Sequence, residues 1–399
     1  MAALHGTTSR LEKAGIYSVI ASCFFIPLST TLMGLFGGLV LLFWIISGSI
    51  SRWPQLIRQS PLTAVATILI ILFGAGMLYS PAPWEEILNV FKKYRELFFI
   101  PAVTALMLKD DRNFNMMAVT AFFAGCIILL AVSYAMSFGI MPSDRYGNSI
   151  IQHIAHSFFM AILAFWAAHK AFDAAEKHKP GWMLLLAVVV GNIVYIAPGR
   201  TGMITFLVLC LLFIWQRFSW QKQMLAFLVF AGLTGIAFIS SNNVQTRFYD
   251  ALDDIQTYEH GMSRTSQGRR FDWWYDSLRL LGEKPLIGHG TGSFTVVHDR
   301  LIEGTAIHPT DNPHNEYLLI SVQLGGVGLL AFLALFAAGW LDSLRQTPEK
   351  QRLAQGVIIS MMVGCLMNSF LFDSHQGHYF AFLAALLCAP APLNFRKEP

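Results

Sequence analysis

Charge is scarce in this chain: 13% of the 399 residues are charged, 55% are hydrophobic, and the mean hydropathy is +0.51. That balance excludes an ordinary soluble domain. No stretch alternates apolar and polar side chains with the period of a barrel strand. Helices are therefore left to satisfy the backbone in lipid. A formal net charge of +4 is too small to point to nucleic acid. The N-terminus shows no cleavable signal; Arg10 and Lys13 simply precede the first apolar run. Cysteines 23, 126, 210, 365 and 388 all fall inside apolar runs, which excludes a disulfide framework or a zinc spacing and leaves them as small buried hydrophobes. There is no internal repeat and no low-complexity segment.

What the chain does have is a series of apolar runs. They lie at 14–30, 32–48, 61–79, 85–108, 114–138, 150–168, 182–198, 201–216, 223–240, 314–340, 353–371 and 376–393. Each approaches the roughly 20 residues that cross about 30 Å of hydrocarbon. The expectation is an all-α polytopic membrane protein with about twelve transmembrane helices. Positive charge sets its orientation. One set of connecting segments holds sixteen cations, whereas the short loops of the opposite set hold Arg145 and Arg200 alone. Both termini are therefore expected in the cytoplasm.

Residues 241–313 form one long outer loop inserted between the ninth and tenth runs. Long loops are exempt from the charge rule, so its seven cations do not contradict the topology. The loop is too aromatic for a disordered linker. "RRFDWWYDSLRLLG" (269–282) places Phe271, Trp274, Leu278 and Leu281 at helical spacing, which predicts an amphipathic helix. "GHGTG" (288–292) lacks the strand and the spacing of a nucleotide-binding loop, and predicts instead a turn that brings the chain back to the bundle.

The outer face carries the residue types that chemistry needs. Arg200 sits in "APGRTG" (197–202), where flanking glycines leave the backbone open to a ligand, and guanidinium forks bind oxyanions bidentately. Arg145 in "SDRYGN" (143–148) is either an interfacial anchor beside Asp144 or a second anion contact. "NVFKKYRELFF" (89–99) places Lys92, Lys93 and Arg95 inside the fourth run, where an unpaired charge costs on the order of 3 kcal/mol. Those cations should face a polar cavity or pair, and Glu96 is within reach of Lys92 and Lys93. In "DNPHNEYLL" (311–319), Pro313 predicts a helix start, with His314 in the first turn at the outer surface. A histidine there is either structural or a general base. The histidines at 289, 298, 308 and 314 are irregularly spaced and match no metal-ligand pattern.

Three segments in order carry a family resemblance: "GRTG" (199–202), "GRRFDWWYDSLRLLGEKPLIGHGTGSF" (268–294) and "PHNEYLLISVQLGGVGLL" (313–330). Together with the topology, they resemble the bacterial O-antigen ligases, of the superfamily that includes O-antigen polymerases and O-linked oligosaccharyltransferases. The resemblance implies a GT-C-like glycosyltransferase of the bacterial inner membrane, with 241–313 in the periplasm. It implies transfer of O-antigen from undecaprenyl pyrophosphate to the lipid A-core oligosaccharide in lipopolysaccharide biosynthesis. The reaction would invert the anomeric centre and need no metal or cofactor. His314 would be the base and Arg200 would hold the pyrophosphate. The family's loop arginine stands four residues before a tryptophan and fifteen before a proline. Arg270 satisfies both spacings and Arg269 only the first, although the doubled arginine leaves both open. Lys92, Lys93, Arg95 and Arg145 remain candidates for the donor phosphate. A polymerase would carry two sizeable outer loops, and a protein-glycosylating enzyme a longer C-terminal region. A transporter would show inverted repeats and ionisable groups at mid-membrane.

Overall fold

The computed structural model describes residues 9–108, 113–143, 146–197, 199–262 and 265–390. Its described residues form helices and no strands. In chain order these are α1 (Arg10–Phe25), α2 (Thr30–Ile46), α3 (Trp53–Gln59), α4 (Pro61–Gly76), α5 (Trp84–Lys93), α6 (Glu96–Met107), α7 (Phe114–Ser137), α8 (His153–Asp173) and α9 (Lys179–Gly191). They continue with α10 (Arg200–Arg217), α11 (Trp220–Ser240), α12 (Asn242–Gln256), α13 (Ser266–Glu283), α14 (Phe294–Ile302), α15 (Glu316–Ser343), α16 (Pro348–Met367) and α17 (Ser374–Leu387).

All twelve apolar runs are helical over most of their length. Among the described residues, six helices are long and apolar enough to cross a membrane alone: α7, α8, α9 with its π-helical extension to Ile196, α10, α11 and α15. A seventh is the bent pair Thr30–Ile46 and Ser49–Gln59, whose halves meet at 78°. The remaining runs form shorter or less apolar helices that pack inside. Every residue of α17 from Gln376 to Leu387 is buried, as is every residue of α6 except Phe98. These two helices form the centre of the bundle and pack on each other.

The fourth run is not one helix. It breaks at Tyr94–Arg95 into amphipathic α5 and buried α6, which moves Lys92 and Lys93 to the end of α5, where both are exposed. The two lysines therefore lie at a helix end rather than within one continuous span, as the fourth run had led us to expect. Ten residues that begin with Glu85 and Glu86 and end with two lysines are too polar to be lipid-embedded, and they leave only Ile87 fully buried. Glu96 pairs with neither lysine; its carboxylate lies 2.8 Å from His378 Nδ1 on α17.

Helix α15 is also interrupted. Gly325 has φ +64° and ψ −162°, a conformation essentially confined to glycine, which breaks the helical hydrogen bonding. The freed backbone groups are taken up by the "KPLIGHGTG" segment. His289 and Gly290 donate to Val322 O and Gln323 O at 2.9 and 2.8 Å, while Gly326 and Val327 donate to Pro285 O and Leu286 O at 2.7 and 3.1 Å. Irregular backbone at membrane depth persists only where protein satisfies it. Thr291 N bonds Gly76 O at 3.0 Å, and its hydroxyl donates to Phe73 O at 2.6 Å, which pins the same segment to the end of α4. The glycine cluster is thus a backbone dock between the loop and the bundle.

Helix α13 buries a face that its apolar spacing does not predict. Leu278 is exposed, whereas Gly268, Asp272, Asp276 and Leu280, one every four residues, are buried. Asp272 is held by hydrogen bonds, and Asp276 faces a buried histidine. Asp272 Oδ1 accepts from Tyr258 OH at 3.1 Å and from Gly261 N at 2.9 Å, and Asp276 lies 3.4 Å from His298 Nε2. Counting apolar side chains alone misses a face built on acid contacts.

Candidate functional site

The helix that follows His314 is capped by Asn315, whose side chain accepts from Leu318 N at 3.2 Å. This puts the helix start at Glu316 and His314 just before the cap, not in the first turn as Pro313 led us to expect. His314 has φ +54°, a left-handed conformation that non-glycine residues seldom adopt. Neighbours hold it there. Its N–H donates to Asn312 Oδ1 at 2.8 Å, and Trp274 Nε1 donates to Pro313 O at 2.9 Å. The ring of Trp273 lies 5.5 Å from that of His314, centroid to centroid.

The imidazole is oriented from the α16–α17 loop. Asn368 donates Nδ2 to Asp373 Oδ2 at 2.8 Å, so its Oδ1 faces the histidine and accepts from Nδ1–H at 2.7 Å. That pairing assigns the proton to Nδ1 and leaves Nε2 with a free lone pair. Burial lowers the pKa of His314 from its usual 6.5. The bond to Asn368 opposes that shift, and the Arg270 charge adds to it. A ring neutral at pH 7 is what a general base requires. Burial raises Asp373 to about 6, with Lys93 pulling the other way.

Asn368 and Asp373 were not singled out from sequence. The available signal was the polar residues scattered through "NSFLFDSHQ" (368–376), where the eleventh apolar run gives way to the twelfth. Glu316 was missed as well. Its carboxylate accepts Leu371 N at 2.9 Å, Phe372 N at 3.1 Å and Tyr94 OH at 2.9 Å, and so pins the loop that carries Asn368.

Arg200 and Arg270 come together. Both line one cavity of about 1560 Å³, and burial, with the Arg200 charge second, lowers the pKa of Arg270 from its ordinary value. Arg270 is anchored through Nη1 to Met367 O at 3.1 Å, one residue from Asn368. Arg200 is held loosely, with Asp250 and Asp254 at 3.8 and 3.9 Å, and its buried Nε has no hydrogen-bond partner. Two adjacent guanidinium groups repel unless an anion sits between them. Arg269 does not line the cavity.

Of the two "GRTG" glycines expected to leave the backbone open to a ligand, Gly199 lines the cavity and Gly202 does not. A Cβ at Gly199 or Gly202 would run into Ser157 of α8, so these residues serve close helix packing. Their effect on the site is indirect: the tight α8–α10 contact fixes Arg200 at the first position of α10.

From the arginines the cavity runs along the whole of α10, past Leu207, Cys210 and Phe213 to Phe218 and Lys222, with α11 as its outer wall. Eighteen helical residues span about 27 Å, close to the thickness of a hydrocarbon layer. Lys92, Lys93 and Arg95 do not line it. Arg145 lies outside the described residues. Among the described residues, no group of three or more His, Cys, Asp or Glu side chains is arranged to hold a metal ion.

A helical bundle with several apolar spans, and a long apolar cavity with two arginines at its end, describes a membrane protein with a cationic end to an apolar cavity. Residues 183–333, which include Arg200, Arg270 and His314, match the family model described as O-Antigen ligase, in agreement with the resemblance read from the motifs. Two curated relatives align with it. An uncharacterized protein of Haemophilus influenzae is 22% identical over 317 residues, covering 74% of this chain and 77% of that one. An O-antigen ligase of Escherichia coli K12 is 22% identical over 227 residues, covering 52% of this chain and 54% of the relative.

Proposed function

We propose that this protein is an O-antigen ligase, transferring O-antigen polysaccharide from undecaprenyl pyrophosphate to the lipid A-core oligosaccharide at the periplasmic face of the bacterial inner membrane. Both termini are then cytoplasmic, and residues 241–313 form the periplasmic loop. The observation that carries the reading is one cavity as long as a hydrocarbon layer, with Arg200 and Arg270 at one end and His314 hydrogen-bonded to the residue beside Met367. A polyprenyl chain suits the apolar length, and a pyrophosphate suits two adjacent forks.

In the proposed reaction His314 Nε2 takes the proton of the acceptor hydroxyl. The oxygen attacks the anomeric carbon from the side opposite the pyrophosphate and inverts it. The bond from carbon to phosphate oxygen breaks, and undecaprenyl pyrophosphate leaves with its charge met by Arg200 and Arg270. Such preorganised charge is the largest contribution in many enzymes. The leaving group is already good, so the proposal needs no metal.

A transporter would also contain a broken helix, but the break in α15 is filled by residues 285–290 rather than lining a site. The test is a mass-spectrometric product assay. Purified protein is given lipid-linked O-antigen and, in separate reactions, lipid A-core, a growing O-antigen chain or a protein acceptor. Product on lipid A-core supports the ligase, and product on the glycan or protein alone replaces it with the polymerase or the oligosaccharyltransferase.

A further inference from the structure

We propose that Lys92 and Lys93, at the end of α5, form a subsite for phosphate carried by the acceptor saccharide, separate from the donor site at Arg200 and Arg270. The inference rests on the ligase reading and adds to it the place where the second substrate's charge is held. The α16–α17 loop connects the two cationic groups. At one end of it, Met367 O accepts from Arg270 at 3.1 Å; near the other, the Phe372 ring lies 3.8 Å from Lys93 Nζ. Asn368, within the same loop, holds His314. The loop that orients the base therefore meets Arg270 at its cavity end and Lys93 near its other end.

Cations at a helix C-terminus also complement the helix dipole, and that alone accounts for lysines at this position. It does not account for Lys93 reaching over Phe372 to the loop that orients the base. Among the described residues, neither lysine has a carboxylate within ion-pair distance, and neither lines the cavity. Arg95 is engaged differently: it donates to Lys92 O at 3.1 Å and lies 3.7 Å from Glu96. The buried side of α5 is fixed by Ile87, whose backbone lies against Gly292 of the docked loop, so the lysines project from a braced helix. Ammonium groups are mobile point charges, suited to phosphate on a flexible saccharide. The two forks in the cavity suit one fixed pyrophosphate.

The test uses the full-length protein in nanodiscs and measures binding of phosphorylated lipid A-core and of the same acceptor after phosphatase treatment. Wild type should bind the phosphorylated form more tightly, and Lys92→Gln/Lys93→Gln should lose about tenfold in affinity for that form alone, each such contact being charge-assisted. Affinity for undecaprenyl pyrophosphate should not change. Equal affinity of wild type for the two acceptors, or a loss in donor affinity in the double variant, overturns the subsite. Nanodiscs of zwitterionic and of anionic lipid separate the acceptor phosphate from lipid headgroups. A lysine effect that follows bilayer charge rather than acceptor phosphate also overturns it. The ligase reading is judged separately, by product formation in the wild type.

Discussion

His314 and Asn368 face each other at 2.7 Å, Nδ1 to Oδ1, with Asp373 fixing the asparagine from behind at 2.8 Å. The arrangement holds one tautomer and points Nε2 away from its support. Removing that support should be costly because Asn368 and Asp373 act through His314. Asn368→Ala should lower kcat on the order of 100-fold, the penalty for a misplaced catalytic group, with little change in donor KM. Asp373→Asn should act in the same direction and less severely. A change confined to donor KM, with kcat preserved, would show that the asparagine does not orient the base.

The pKa shift of His314 sets a direction for the pH profile. Burial holds the folded value below 6.5, so the ring is neutral and competent at pH 7. Activity should persist as pH falls through 6.5 and then decline as Nε2 is protonated. The midpoint of the acid limb of kcat/KM should lie below 6.5. For stability the sign is the same. Between the folded and unfolded pKa values only the unfolded chain binds the proton, so the folded state weakens as pH drops through that window. An acid limb centred above 7 would remove this histidine from the profile.

Arg200 is loosely paired and shares its cavity with Arg270. Arg200→Ala should cost about 2–4 kcal/mol of transition-state stabilisation, as for the loss of one preorganised donor. Arg200→Lys should cost less, because it keeps the charge while losing the fork. Steady-state kinetics in both substrates measure this. Equal loss in the two variants would make geometry rather than charge the decisive property.

Two glycines should prove structural. Gly202→Ala drives a methyl group into the Ser157 backbone, and Gly325→Ala places a side chain at φ +64° against the Leu286 backbone. Each should destabilise by about 1–3 kcal/mol through overpacking or backbone strain, read as a fall in thermal unfolding temperature. Gly34→Ala, with open space around it, should be silent.

The helices and the arginine at the end of the cavity were legible because their signals are local. Apolar runs mark helices, Pro313 lies close to the start of α15, and an arginine between two apolar runs stands out. What was not legible depends on contacts between distant segments. Asn368 acquires its role only when the α16–α17 loop meets His314, and buried Asp272 and Asp276 acquire theirs when Tyr258, Gly261 and His298 arrive. "GRTG" placed Arg200 beside the cavity, while the packing of its glycines against Ser157 on α8 depends on a contact between distant segments. The fourth run misled because hydropathy averages over a break at Tyr94 that divides an amphipathic, largely exposed helix from a buried one.

One proton transfer, from the acceptor hydroxyl to His314, is central to the proposed reaction. The measurement that tests it compares wild type with His314→Ala in the same nanodiscs, scoring both affinity for undecaprenyl pyrophosphate-linked O-antigen and the yield of ligated lipid A-core. Donor affinity should be unchanged, and yield should fall by at least the roughly 100-fold that a positioned base contributes. Undiminished product from the alanine variant would contradict the account.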